Sequence, residues 1–547
     1  MTITTVQSLL LLTLLFLPIS SQSPHLESTN YIFNATEFPP EEEYDYIVVG
    51  GGTAGCPLAA TLSEDHRVLL LERGGSSTSF PTVLTREGFL PTLLQTDLYS
   101  SPAQSFISED GVPNARGRIL GGSSSINAGF YSRADSTFFL AGSGPIIWDM
   151  SLVNASYEWV ERAVAFQPNV GIWQSAVRDG LLEANFTPYN GFTVEHVVGT
   201  KIGATTFDPS GRRHSAADLL GYATMSNIRV ALHASVERVL FDHSPSVSYE
   251  RPLASGVVYR DHNGRYHNAM LRDKGEVILS AGALGSPQLL LLSGIGPRTY
   301  LATWGIPVNQ HLPAVGQYLY DNPRNGVSFF SPIPLDHSLI QVVGITSSGF
   351  FLEAASNIIP FYPPFFGPIA APFLLTVATL LEKVSGPVST GSLRLASTDV
   401  RDNPTVRFNY FASPVDLDRC VSGVRKIGDA LRSPAMDGFK WGIGMGREFR
   451  YVGPAMPANE SDDGAMAEFC RRTVTTIWHY HGGCVAGKVV DGDYRVIGIG
   501  SLRVVDGSTF YASPGTNPQA TVMMMGRYAG QRILEERRTE SGNQRRP

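Results

Sequence analysis

The chain has 547 residues, 43% hydrophobic and 17% charged, with a formal net charge of −7. Those proportions are typical of a globular protein, and the length is enough for two large lobes. The negative balance and the lack of a Lys/Arg cluster in the body of the chain argue against nucleic-acid binding. Arg537, Arg538, Arg545 and Arg546 read as a solvated tail.

Residues 9–17 are apolar apart from Thr13 and lead into Pro18 and the small residues Ser20, Ser21 and Ser23. Although no Lys or Arg precedes the run, its length and flanks fit a cleaved secretory signal over 1–23 better than a membrane span. Sequons at Asn34, Asn154, Asn185 and Asn459 fit a glycosylated secretory product. The longest later apolar stretch, 358–381, holds five prolines and a glycine, so it reads as a loop and no membrane span is expected. Of the four cysteines, Cys56 reads as a small buried filler and Cys484 as free, and a Cys420–Cys470 disulfide is expected. No metal-ligand spacing occurs among them.

Residues 46–49 form a short β-branched, apolar run, a buried strand, that stops at Gly50, Gly52 and Gly55. A helical stretch follows over 56–63, with Pro57 in its first turn. This is the first half of a dinucleotide-binding βαβ unit. Gly50 permits the turn, Gly52 lets a pyrophosphate approach the backbone, and Gly55 lets helix and strand pack closely. Thr53 and Ala54 complete the turn. A second strand over 67–71 delivers Glu72, 22 residues after Gly50, where a carboxylate accepts ribose hydroxyls.

From Arg73 to about residue 101 the composition is loop-like. Residues 114–129 are rich in small side chains, and read either as a surface linker or as backbone laid against a planar ligand. Helices are expected over 148–166 and 172–182, one strand over 229–242, and strands over 256–259 and 276–279. The last of these ends in small residues from Ser280, placing bare backbone at a sheet's carboxyl edge before a helical run at 289–292. Residues 316–475 read as short strands and Pro-rich loops. Glu353 lies among them, first as a surface acid and second as an active-site carboxylate. Then comes Ile477-Trp478-His479-Tyr480-His481, and further on Asp506-Gly507 and Asn517-Pro518-Gln519, before a helix over 521–534. His-x-His without further ligands is weak evidence for a metal. A packed neutral histidine is the plain reading for either, yet imidazole remains the obvious general base here. On residue types alone, this is a dinucleotide-dependent redox enzyme with a histidine base.

In this order, the glycine turn, residues 121–129, residues 280–297 and the His479 and Asn517 motifs resemble the glucose–methanol–choline flavoprotein oxidoreductases along essentially the whole mature chain. Residues 127–135 and 477–483 carry a closer similarity to the plant branch that holds the HOTHEAD protein and the mandelonitrile lyases of stone-fruit seeds. The resemblance implies an α/β chain whose Rossmann-like FAD-binding domain is assembled from 24–140, 230–315 and 490–547. A second, mixed-sheet substrate domain would comprise 141–229 and 316–489. It implies FAD as cofactor, with Glu72 at the adenosine ribose, the backbone of Val236 at the adenine and Arg73 among the cofactor-binding residues. Ile119, Gly122, Ser123, Asn127 and Ala128 would line the isoalloxazine and pyrophosphate. Ala281, Trp478, Asp506, Gly507, Pro518 and Gln519 would also approach the cofactor.

His479 aligns with the family's base and His481 falls outside it. Asn517 would hydrogen-bond the substrate oxygen, and Glu353, Ile477 and Trp478 would meet the substrate. Two chemistries of the family compete. Alcohol oxidation needs one base and a hydrogen-bond donor, which His479 and Asn517 provide. Cyanohydrin cleavage needs a positive field for departing cyanide, and the fruit-seed lyases have a second histidine where Asn517 stands. They also place a tyrosine at Ile477 and a cysteine near Glu353. The expectation is therefore an FAD-dependent alcohol oxidoreductase acting on a hydroxy fatty acid or an aromatic alcohol, with dioxygen or another electron acceptor. A cyanohydrin lyase is the alternative and a catalytically inactive secreted flavoprotein the third reading, against which the intact His479 speaks. The chain is expected to be a monomer of the plant cell wall or another secretory compartment.

Overall fold

The computed structural model describes residues 30–140, 144–242, 251–357, 376–442, 446–515 and 517–543. The expected signal over 1–23 and most of the apolar stretch 358–381 lie outside the described residues. Its last residues, 376–381, belong to the buried strand Thr376–Val384 and not to a loop.

The Glu41–Val49 strand pairs in parallel with Val68–Glu72 on one side and with Tyr266–Leu279 on the other. Its last four residues are at most 3% exposed, as a strand covered on both faces requires. Ile228–Leu232 and Ile32–Asn34 extend the sheet in parallel beyond Val68–Glu72. Leu253–Arg260 and Ser235–Asp242 extend the other edge as antiparallel strands, and Leu502–Val504 joins beside Tyr266–Leu279. The helices Gly55–Leu62, Met150–Val164 and Gln519–Asn543 pack on one another against this sheet. The single strand expected over 229–242 is two strands in different places. His233, at φ +58°, breaks it where the chain leaves the parallel region.

A second sheet runs in the order Arg450–Val452, Pro323–Ser331, Thr376–Val384, Phe350–Ser356, Val342–Ile345, Gly199–Ile202, Tyr189–Phe192, antiparallel except for its last pair. One face carries Leu352, Ala354 and Leu380, which form a separate core with two helices, Ile172–Glu183 and Pro414–Arg432. The helices Pro414–Arg432 and Asp463–Thr473 correct the loop reading of this region. Cys420 and Cys470 join those two helices in a disulfide, and Cys56 and Cys484 are free and buried. The stretch after Arg73 also holds more order than composition indicates, because Phe89–Leu94 is a helix with Phe89 and Leu93 buried. Among the described residues no helix is long and apolar enough to cross a membrane. Asn154, Asn185 and Asn459 are exposed.

Candidate active site

A cavity of about 710 Å³ runs from the carboxyl ends of the parallel strands to the second sheet, large enough for a sizeable cofactor. Its first end is built of backbone. Gly50 has φ +106°, and a Cβ there would come 2.5 Å from the Ser280 carbonyl oxygen. A Cβ on Gly55 would sit 1.9 Å from the Gly50 oxygen, so helix and strand meet at a separation only glycine allows. Gly122, at φ +58°, brings the 114–129 segment so near that its Cβ would lie 2.7 Å from the Gly52 Cα. That segment lines the cavity and is not a surface linker.

Glu72 lines the cavity at 5% exposure. Its two carboxylate oxygens accept the Gly51 N–H at 3.0 Å and the Gly74 N–H at 2.8 Å, which orients it, and burial raises its pKa. Beyond it, Arg73 and Arg116 both donate to the Gln104 side-chain oxygen. Val236, His233 and His262 line the same end. Thr53, Ala54, Ser123, Asn127, Ala128 and Ala281 also line the cavity, while Gly55 and Ile119 are buried behind it. Asp506 accepts the Gly282 and Ser508 N–H groups at 2.8 Å each and thereby holds the Gly282–Leu292 helix start beside Gly507. Gln519 accepts from Asn127 at 2.8 Å and donates to the Phe130 carbonyl at 2.6 Å. Arg213, which sequence reasoning passed over, donates to Asn127 at 3.0 Å and sits over the Phe207 ring. Nothing in its polar surroundings in the sequence marks it.

At the far end, Ile477, Trp478, His479 and Asn517 meet Arg324, Leu381 and Ala355 of the second sheet. Trp478 holds φ +60°, with its N–H donated to the Thr476 hydroxyl at 2.7 Å and the Arg324 guanidinium 4.9 Å above its ring. The His479 backbone N–H donates to buried Asp321 at 2.9 Å. Burial, with Lys383, His481 and Arg324 nearby, holds the His479 imidazole well below its ordinary pKa, so it is a neutral base at neutral pH. His481 lies outside the cavity, its Nδ1 2.9 Å from the His479 carbonyl oxygen and its ring stacked on Tyr320. Burial lowers its pKa to about 4. Among the described residues no group of side chains could hold a metal ion.

Glu353 is 1% exposed, which corrects the surface reading, and it stands behind the cavity wall rather than on it. Burial raises its pKa, against the opposing pull of Lys383, Arg324 and the adjacent Asn517 amide. The His479 Nδ1, the Asn517 side-chain oxygen and the Arg116 Nε are buried without a hydrogen-bond partner among the described residues. Polar atoms left so are paired when a polar ligand occupies the site. A flavin dinucleotide fits such a cavity: bare backbone and arginines for phosphates, a fixed carboxylate for ribose, and a base beside the ring end.

The fold and site thus define a dinucleotide-binding α/β protein with a second sheet closing over the far end of the cavity. The family models for GMC oxidoreductases match at residues 44–324 and 387–526, so the chain belongs to the GMC oxidoreductase family, and its cofactor is FAD. It is 64% identical to an "(R)-mandelonitrile lyase-like" protein of Arabidopsis thaliana, over 93% of this chain and 92% of that one. It is 48% identical to (R)-mandelonitrile lyase 1 of Prunus serotina, over 93% and 90%. It is also 48% identical to sinalpyl alcohol oxidase Nec3 of Nesocodon mauritianus, over 97% and 95%. The crystal structure of pyridoxine 4-oxidase from Mesorbium loti shares the fold, with a TM-score of 0.76 at 23% identity over 90% of this chain and 99% of that one.

Proposed function

We propose that the chain oxidises an alcohol to an aldehyde, with His479 as the base. The observation that carries this reading is the pairing at the reactive end of one neutral imidazole, His479, with an uncharged amide, Asn517. Bound FAD would supply the acceptor for a hydride from the carbinol carbon. His479 takes the hydroxyl proton, and its low pKa keeps it free to do so. Asn517 has an amide N–H₂ to donate to the substrate oxygen and no proton to exchange. Ile477, Trp478, Leu381 and Ala355 give the substrate an apolar wall. Glu72 and Arg73 would hold the cofactor's ribose end, and Asp506, Pro518 and Gln519 its ring end. The similarity to an alcohol oxidase supports the reading. The exposed sequons support a secretory location, and dioxygen is the simplest acceptor for a secreted enzyme.

Lyase chemistry is the second reading, favoured by the 64% identical relative's name and by two buried cations, Arg324 and Lys383, near His479. One experiment separates them. The holoenzyme is mixed without oxygen with aliphatic and aromatic alcohols and with mandelonitrile, while the flavin band and benzaldehyde are followed together. Bleaching by an alcohol that disappears in His479→Ala is the expected result. Benzaldehyde released while the flavin stays oxidised would make it a lyase.

A further inference from the structure

Three strands of the second sheet bring charges to the cavity from well-separated parts of the chain. Lys383 is opposite Arg324 on one neighbouring strand and opposite Phe351 on the other. Glu353 lies two residues beyond Phe351, opposite Leu381. Side chains alternate between faces along a strand, so Arg324, Lys383, Phe351, Glu353 and Leu381 share one face. Arg324 and Leu381 line the cavity, which identifies that face as the one behind the reactive end. The Lys383 ammonium lies 4.3 Å from the Phe351 ring centroid, and the Asn517 side chain meets Glu353 from the cavity side. With Asp321 beneath His479, this region holds two formal cations and two carboxyls, all at most 6% exposed.

We propose that Glu353 is a specificity-determining residue that balances Lys383 and Arg324, so that the reactive end presents no net charge and excludes small anions. Its removal unmasks a binding subsite for a small monovalent anion beside His479 and Asn517. A proton shared between Glu353 and Lys383 leaves the pair neutral whichever group holds it. Without the carboxyl, Asp321 still opposes Arg324, but Lys383 has lost its main partner and gains a proton along with any anion that enters. The balance suits a substrate uncharged at its reacting end and disfavours one that releases an anion, which deepens the alcohol reading and rests on the same site.

The test is titration of the FAD-loaded enzyme with sodium thiocyanate at constant ionic strength, read in the flavin absorbance band. Glu353→Gln should bind thiocyanate roughly tenfold or more tighter than the unmodified enzyme, since an unscreened charge a few ångströms away is worth at least that. Glu353→Gln combined with Lys383→Met should return to the starting affinity. Should Glu353→Gln not retain FAD, Glu353→Leu carries the same expectation. Unchanged thiocyanate affinity in a flavin-loaded Glu353 variant would overturn the inference, as would a gain that survives intact in the double variant. The readout needs no turnover. An enzyme that oxidises no alcohol but shows this pattern sinks the oxidoreductase reading and leaves the charge balance standing.

Discussion

Asp321 accepts the backbone N–H of His479 at 2.9 Å, and the same carboxylate takes the hydroxyls of Thr476 at 2.7 Å and Tyr410 at 2.5 Å. One buried acid thus fixes the segment that carries His479, next to the left-handed Trp478. Asp321→Asn keeps the shape but offers one oxygen where three donors now converge. We expect kcat for flavin reduction to fall roughly 10- to 100-fold, with FAD content unchanged, a typical penalty for a misplaced catalytic group. Stopped-flow reduction of the purified variant checks it.

The same residue sets a pH dependence. Burial raises the Asp321 pKa to about 6, while His479 is held well below its usual range. The His479 base therefore stays unprotonated down to acid pH. Protonation of Asp321 should produce an acid limb near pH 6 in the reductive rate, and that limb should vanish in Asp321→Asn. A limb that persists in the variant assigns it to another group.

Glu382 lies on the far face of the second sheet, fully buried, with neither carboxyl oxygen hydrogen-bonded to a described residue. Burial raises its pKa well above the usual value. The unfolded chain ionises this group at about 4.3, the folded chain only at higher pH. Its contribution is therefore complete below that value and is lost as pH rises toward the folded pKa. Glu382→Gln should match the parent's melting temperature at pH 4 and exceed it at pH 8, measured by calorimetry at both.

Gly122→Ala should empty the cofactor site. The new Cβ would lie 2.7 Å from the Gly52 Cα in a backbone conformation at φ +58°. Neither segment can move without opening the turn that faces the dinucleotide. We expect less than a tenth of the parent's flavin-to-protein absorbance ratio, with far-ultraviolet dichroism preserved.

The Cys420–Cys470 bond closes a loop with a sequence separation of 50 between two helices of the second core. Cys420→Ser with Cys470→Ser should lower stability by about 2–5 kcal/mol. The melting temperature falls accordingly, and reducing agent should lower the parent's melting temperature and leave the variant's unchanged.

Much of the first sheet was legible because its signals are local. A β-branched run, glycines at fixed offsets and an acid after the next strand need only a few neighbours to make sense. The helix Pro414–Arg432 was legible too but passed over: Leu417, Cys420, Val421, Val424, Ile427 and Leu431 recur at helical spacing and are all buried. The break at His233 had no such signal, because apolar alternation continues across it and only the positive φ separates the two strands.

The amino-acid sequence by itself determined the dinucleotide turn and the order of the motifs, since these depend on backbone freedom and residue chemistry at short range. Only the tertiary structure decided that Glu353 is buried, that Asp321 anchors His479, and that Arg324, Lys383 and Glu353 share a face. Strand register between segments dozens of residues apart sets which charges meet, and burial away from water makes their balance matter.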